Sequence, residues 1–428
     1  MEGNTGPVTN ASATPQIAAP NPHFHDPQWW RHAVVYQVYP RSFADSNGDG
    51  MGDIRGIIEH LDHIEKLGVD VVWLSPVYRS PQDDNGYDIS DYQDIDPMFG
   101  SLADLDELIA GLHARGIRLV MDLVVNHTSD EHPWFEASRS SKDDPKRDWY
   151  VWRPARPGTV PGEPGAEPNN WGSIFSGPAW EYDERTGEYY LHLFTRKQPD
   201  LNWENPEVRR AVHDMMRWWV DRGVDGFRMD VINLISKPAE LVSEDVIDPN
   251  SASFGEIANG PRLDEFLAEM NREVGLDERN LITVGETPGA TIEVAQRITD
   301  PARRELNMVF TFEHMGIDQV PGASKWDLAP LSLPALKGNL ADWQYGLAES
   351  LWSNLSLMFN RRGGVVGWIQ YKPLLLFLER PLRSIEGRDG WGQVGLNYQG
   401  ITTPFGLQLT VALWLGVILA SPVWLYEL

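Results

Sequence analysis

The sequence predicts a (β/α)8 TIM barrel with a subdomain inserted after its third strand. Three observations carry that expectation. Short apolar strands alternate with helical patterns, polar residues gather where those strands end, and the alternation stops between residues 127 and 205. Parallel strands covered by helices on their outer face read as near-continuous apolar runs, and barrel chemistry collects at their C-terminal ends.

Residues 1–28 are rich in Pro, Asn and Ala and lack the basic and apolar regions of a signal peptide, so they read as a disordered leader. Residues 29–126 form the first part of the barrel. Val34–Pro40 reads as a strand, and 54–67 has helical spacing closed by Gly68. Strand 69–76, helix 102–114 and the apolar run 117–126 follow. Residues 127–205, rich in Pro, Gly, Asn and Trp, read as an irregular subdomain with a few antiparallel strands such as 189–194.

Residues 206–360 resume the barrel. Helix 206–222 starts on Pro. Strands are expected at 224–233, 281–286, 306–314 and 355–360, with a helix at 261–274. The segment 361–428 is atypical, completing the barrel or failing to; 421–427 would be the eighth strand.

Composition narrows the function. The net charge of −26 disfavours nucleic acid and anionic membrane surfaces, whereas a neutral sugar is indifferent to it. The chain has no Cys, which excludes disulfides and thiolate chemistry and agrees with a cytoplasmic location. Eighteen Trp and 13 Tyr suit either core filling or sugar stacking. The apolar run 411–426 is short of the ~20 residues that span a bilayer, so no membrane partner is expected. Oligomeric state is not readable.

Two strand ends carry candidate chemistry. In Gly226-Phe227-Arg228-Met229-Asp230, residues two apart share a face, so Arg228 stands beside Asp230. A neighbouring guanidinium is expected to hold Asp230 ionised, as a nucleophile requires. Val284-Gly285-Glu286 places a second carboxyl on the next strand. Such a pair can flank one glycosidic bond, with Asp230 as nucleophile and Glu286 as acid/base. Asp45, Asn47, Asp49 and Asp53 follow the opening of a calcium loop, but its twelfth position is Gly56 rather than Glu, which argues against an EF-hand.

Further motifs carry a resemblance. They are Val38-Tyr39-Pro40-Arg41-Ser42-Phe43, Trp73-Leu74-Ser75-Pro76, Asn85-Gly86-Tyr87-Asp88-Ile89, Asp122-Leu123-Val124-Val125-Asn126-His127 and Gln198-Pro199-Asp200-Leu201-Asn202. With the Asp230 and Glu286 strands, they make residues 29–350 resemble the alpha-amylase family of glycoside hydrolases, in its exo-acting α-glucosidase (oligo-1,6-glucosidase) branch. The resemblance implies a retaining double displacement that releases glucose from short α-glucosides, α-1,6 and/or α-1,4 linked. It implies that Asp88 and His127 bind the glucose and that Val231 shapes the subsite beyond the cleaved bond. It also implies a structural calcium or magnesium ion on Asp45, Asn47, Asp49, Asp53 and the Met51 carbonyl, with no organic cofactor.

The tail departs from that family. Where the family carries an Asn-His-Asp motif, whose Asp the resemblance implies is a third acid binding the sugar in the transition state, the sequence reads Asn360-Arg361-Arg362. No C-terminal β-sandwich is recognisable. From Gly390 to Tyr426 there is no Asp, Glu, Lys or Arg. Two alternatives therefore stand beside hydrolysis. One is a catalytically impaired homologue acting as a sugar- or protein-binding barrel. The other is a transglycosylase or isomerase, such as a trehalose or isomaltulose synthase.

Overall fold

The computed structural model describes residues 28–347, apart from His32, Ala239 and the segments 242–256 and 321–327. Its central sheet has six parallel strands in chain order: β1 (Val35–Val38), β2 (Val71–Leu74), β5 (Arg118–Val124), β9 (Gly226–Asp230), β10 (Ile282–Glu286) and β11 (Met308–Phe310). These are consecutive strands of the (β/α)8 barrel. The expected leader, the strands at 355–360 and 421–427 and the tail 361–428 lie outside the described residues.

Alternation along each strand sets the two layers. Val71, Trp73, Val120, Ile282, Val284, Met308 and Phe310 form one buried cluster, with Trp29 and Trp30 joining it. The intervening positions, Val72, Leu74, Leu119, Met121, Phe227 and Met229, pack with helix residues in the larger cluster. Gly226 permits the close pairing of β9 with β10, because a Cβ there would fall 2.1 Å from the Ile282 carbonyl oxygen.

The helices follow from local chemistry. Helix Leu102–Ala114 starts on a capping box of Ser101 and Asp104. Helix Pro206–Arg222 starts on Asn205 and Pro206 and ends on Gly223, whose φ of 113° suits glycine. The helix expected over 54–67 is instead two, Ile54–Glu59 and Leu61–Lys66. His60 breaks it: its backbone leaves the helical region, and its Nδ1 lies 2.8 Å from the Gly56 carbonyl oxygen.

The interruption at 127–205 contains an antiparallel sheet of β6 (Trp152–Arg153), β8 (Glu188–Leu191) and β7 (Trp180–Asp183). A two-stranded pair, β3 (Tyr78–Arg79) and β4 (Asp91–Ile95), flanks the loop after β2.

Candidate active site

Strand register assembles the site. Asp122 of β5 pairs with Arg228 of β9, Val124 pairs with Asp230, and Val284 of β10 pairs with Arg228. Glu286, two residues beyond Val284, therefore stands level with Asp230 at the C-terminal mouth. One guanidinium joins all three carboxyls. Arg228 Nη1 lies 2.6 Å from Asp122 Oδ1 and 2.5 Å from Asp230 Oδ1, and Nη2 lies 2.6 Å from Glu286 Oε2.

Burial decides the charge states. Glu286 is pushed up to about 7 by desolvation, with Asp230 raising it further and Arg228 opposing. The Asp230 carboxyl is also raised, against the expectation that Arg228 would hold it low. Desolvation outweighs the guanidinium, whose charge is shared with Asp122 and Glu286. Asp122, fully buried, rises to about 6 for the same reason, and its Oδ2 accepts from Trp73 Nε1 at 2.8 Å.

His127 is buried and kept neutral, its pKa lowered by desolvation to about 4. Its Nε2 lies 3.2 Å from the Tyr87 carbonyl oxygen and 3.1 Å from Gln198 Nε2, and its ring lies 5.0 Å from that of Phe194. Beside it Asn126 Nδ2 donates to Asp200 Oδ2, and Lys237 Nζ pairs with the same oxygen at 2.9 Å. This buried ion pair ties the loop after β9 to the inserted subdomain.

Asp88, expected to bind the glucose, is held within its own loop. It is 0 % exposed, and its oxygens accept from Ser80 Oγ and the backbone N–H groups of Asp83 and Asp84 at 2.8–3.0 Å. Those donors make it the anchor of its loop. The carboxyl that the loop presents is Asp84, partly exposed, raised to about 6 by desolvation, and bonded to Gln198 at 3.0 Å. Sequence reasoning missed Asp84, Tyr87, Asp122, Phe194 and Lys237. The doublet Asp83-Asp84 before Asn85-Gly86 was the available signal for the first.

Val231 directly follows Asp230 and takes the left-handed conformation, φ 36° and ψ 40°. For a β-branched residue this is a strained outlier, costing about 1–3 kcal/mol. Its N–H donates to Glu286 Oε2 at 3.2 Å. Its side chain is buried in the same cluster as Trp171, Trp180, Leu193 and Phe194 of the inserted subdomain.

The carboxylates of the loop expected to hold an ion accept hydrogen bonds from the loop's own backbone. Asp45 accepts from the N–H groups of Asn47, Gly48 and Gly50, and Asp49 from that of Met51. Asp53 caps helix Ile54–Glu59 through Gly56 N–H and also accepts from Ser46. Among the described residues no three His, Asp or Glu side chains converge to hold a metal ion. A cation there would rest on the oxygens of Asn47 and Met51 as much as on carboxylates, a hard-oxygen set suited to calcium or magnesium.

Fold and site together define a parallel barrel with a carboxylate pair, bridged by arginine, at the ends of adjacent strands. The chain belongs to the alpha-amylase family: the alpha-amylase catalytic domain matches residues 37–360. It is 62% identical over 331 residues to an oligo-1,6-glucosidase of Parageobacillus thermoglucosidasius, covering 77% of this chain and 57% of that protein. It is 56% identical to the oligo-1,6-glucosidase of Heyndrickxia coagulans, covering 77% and 58%. Among solved structures it resembles Bacillus licheniformis trehalose-6-phosphate hydrolase, with 49% identity and TM-score 0.70 over 76% of this chain and 57% of that one. It also resembles the trehalulose synthase MutB of Pseudomonas mesoacidophila, with 42% identity and TM-score 0.70 over 76% and 56%. The chain thus spans a little over half the length of these relatives. Residues 353–428 match a different family, the Sec-independent protein translocase protein TatC.

Proposed function

We propose that residues 29–350 form the catalytic barrel of a retaining α-glucosidase acting on short α-glucosides. The observation that carries this reading is the Asp230–Glu286 pair on the guanidinium of Arg228. Inverting pairs stand about 6.5–9.5 Å apart to admit a water, whereas retaining pairs stand closer. Here one guanidinium touches both carboxyls, 2.5 Å from Asp230 Oδ1 and 2.6 Å from Glu286 Oε2, which keeps the pair close.

In the first step an Asp230 oxygen attacks the anomeric carbon. The glycosidic C–O bond breaks, and Glu286 gives its proton to the departing oxygen. Water then replaces Asp230, losing its proton to Glu286, and glucose leaves with its original anomeric configuration. A Glu286 pKa near 7 suits both halves. His127, Asp84 and Tyr87 would hold the glucose, and Asp88 would shape the loop that presents Asp84. The oligo-1,6-glucosidase relatives support α-1,6 linkages as substrates. The likeness to a trehalulose synthase keeps sugar transfer open for the same two carboxyls.

A second reading, an impaired homologue, has its own support. The TatC match begins at residue 353, and Arg361-Arg362 stand where the family resemblance expects His-Asp. The remaining expectations, a calcium or magnesium ion on the 45–53 loop and a cytoplasmic location, belong to the same proposal. The test is hydrolysis of a chromogenic isomaltoside by the full chain beside Asp230→Asn, with the product anomer read by NMR. Initial release of the β-anomer, or equal rates from both proteins, would count against the retaining reading.

A further inference from the structure

We propose that the backbone N–H of Val231 selects the oxygen of Glu286 that carries the proton, and that the inserted subdomain holds this N–H in place. The inference rests on the acid/base role given to Glu286 above.

Two donors meet on one oxygen. Glu286 Oε2 accepts from Arg228 Nη2 at 2.6 Å and from Val231 N–H at 3.2 Å. An oxygen receiving two N–H donors is the carbonyl-like one of a protonated carboxyl, so the proton sits on Oε1.

The second donor depends on backbone geometry. Val231 reaches Glu286 because its φ of 36° turns the chain sharply after Asp230. A strained conformation persists only when its surroundings enforce it. Here the Val231 side chain is 7% exposed and shares a buried cluster with Trp171, Trp180 and Leu193 of the subdomain and Leu234 of the following turn. The subdomain thereby positions the acid without touching it. Val231 is a positioning residue, acting through its main chain.

Other charges face Glu286 as well: Arg228 and Asp230 from β9, Asp122 from β5 and Asp84 from the loop before β4. The test must isolate the N–H from these. Replacing the amide of Val231 by an ester, through incorporation of the α-hydroxy acid of valine in the full chain, removes the donor and keeps the side chain. The readout is the Glu286 carboxyl titration, followed by carbon-13 NMR and assigned by its loss in Glu286→Gln.

The N–H favours the ionised carboxyl, so the ester should titrate at higher pH than the parent. Val231→Gly keeps the N–H but removes the buried side chain through which the subdomain holds it, and should shift the titration in the same direction by a smaller amount. Identical titration of ester and parent would overturn the proposal. So would an unshifted titration in Val231→Gly, which also decides the matter if the ester chain fails to fold. This readout needs no turnover. Absence of hydrolysis by the parent chain would sink the glucosidase reading and leave the carboxyl contact still measurable.

Discussion

Arg228 Nη1 lies 2.5 Å from Asp230 Oδ1, yet the Asp230 carboxyl titrates above the usual aspartate range. The guanidinium is fully buried and divides its charge among Asp122, Asp230 and Glu286. Removing it would leave three carboxyls buried without a cation. Arg228→Ala is therefore expected to cost about 3–5 kcal/mol of stability, the range for breaking a buried pair. Arg228→Lys should fold better but lose most turnover, since one ammonium cannot span three acceptors. Denaturant midpoints and kcat of the two variants check this.

The pH profile follows from the same group. Asp230 must be ionised to attack, and Glu286 must hold a proton to donate. Rate should therefore fall on the acid side as the pair takes up its last proton, and on the alkaline side above about 7, as Glu286 loses its own. A profile of kcat/KM still rising well above that pH would rule out Glu286 as the acid.

Stability depends on the same ionisation. The folded-state pKa of Glu286 lies above its unfolded value, so its favourable contribution is present at low pH and lost as pH rises through about 7. Glu286→Gln removes that burden. The variant should gain about 2–3 kcal/mol more near pH ~8 than near pH ~5, by urea unfolding at both. Equal gains at both pH values would show that ionisation is not the cause.

The loop after β3 separates two aspartates that the sequence alone runs together. Asp84→Asn should raise KM for an α-glucoside and leave stability nearly unchanged. Asp88→Asn should chiefly destabilise, by about 1–3 kcal/mol, because an amide cannot accept every bond the buried carboxylate accepts. Chemical denaturation and Michaelis kinetics on the pair distinguish the roles.

This loop also marks how far the sequence reaches. Period-two alternation and strand-end polar residues suffice to place Arg228, Asp230 and Glu286, because register follows from regular pairing. The split at His60, the inward turn of Asp88 and the left-handed Val231 are irregular backbone, which periodicity cannot report. The charge state of Asp230 is hidden for another reason. Proximity of an arginine is visible in a motif, whereas the desolvation that outweighs it depends on three strands packing together.

The last prediction concerns the join near residue 353, where the TatC match begins while the alpha-amylase match runs on to 360. The family resemblance assigns sugar binding in the transition state to an aspartate that Arg362 replaces here. Loss of one transition-state contact costs on the order of 100- to 1000-fold in kcat. The chain should therefore hydrolyse α-glucosides weakly. Exchanging residues 353–428 for an alpha-amylase-family continuation that carries Asn-His-Asp should restore turnover. Arg361→His with Arg362→Asp should not, because the surrounding segment still matches another family. The comparison needs initial rates for the parent, the double variant and the exchanged chain, each beside its own Asp230→Asn. Brisk hydrolysis by the parent that Asp230→Asn abolishes would show that the third acid is dispensable or supplied elsewhere, with Asp342 and Glu349 the nearest upstream carboxyls to substitute next.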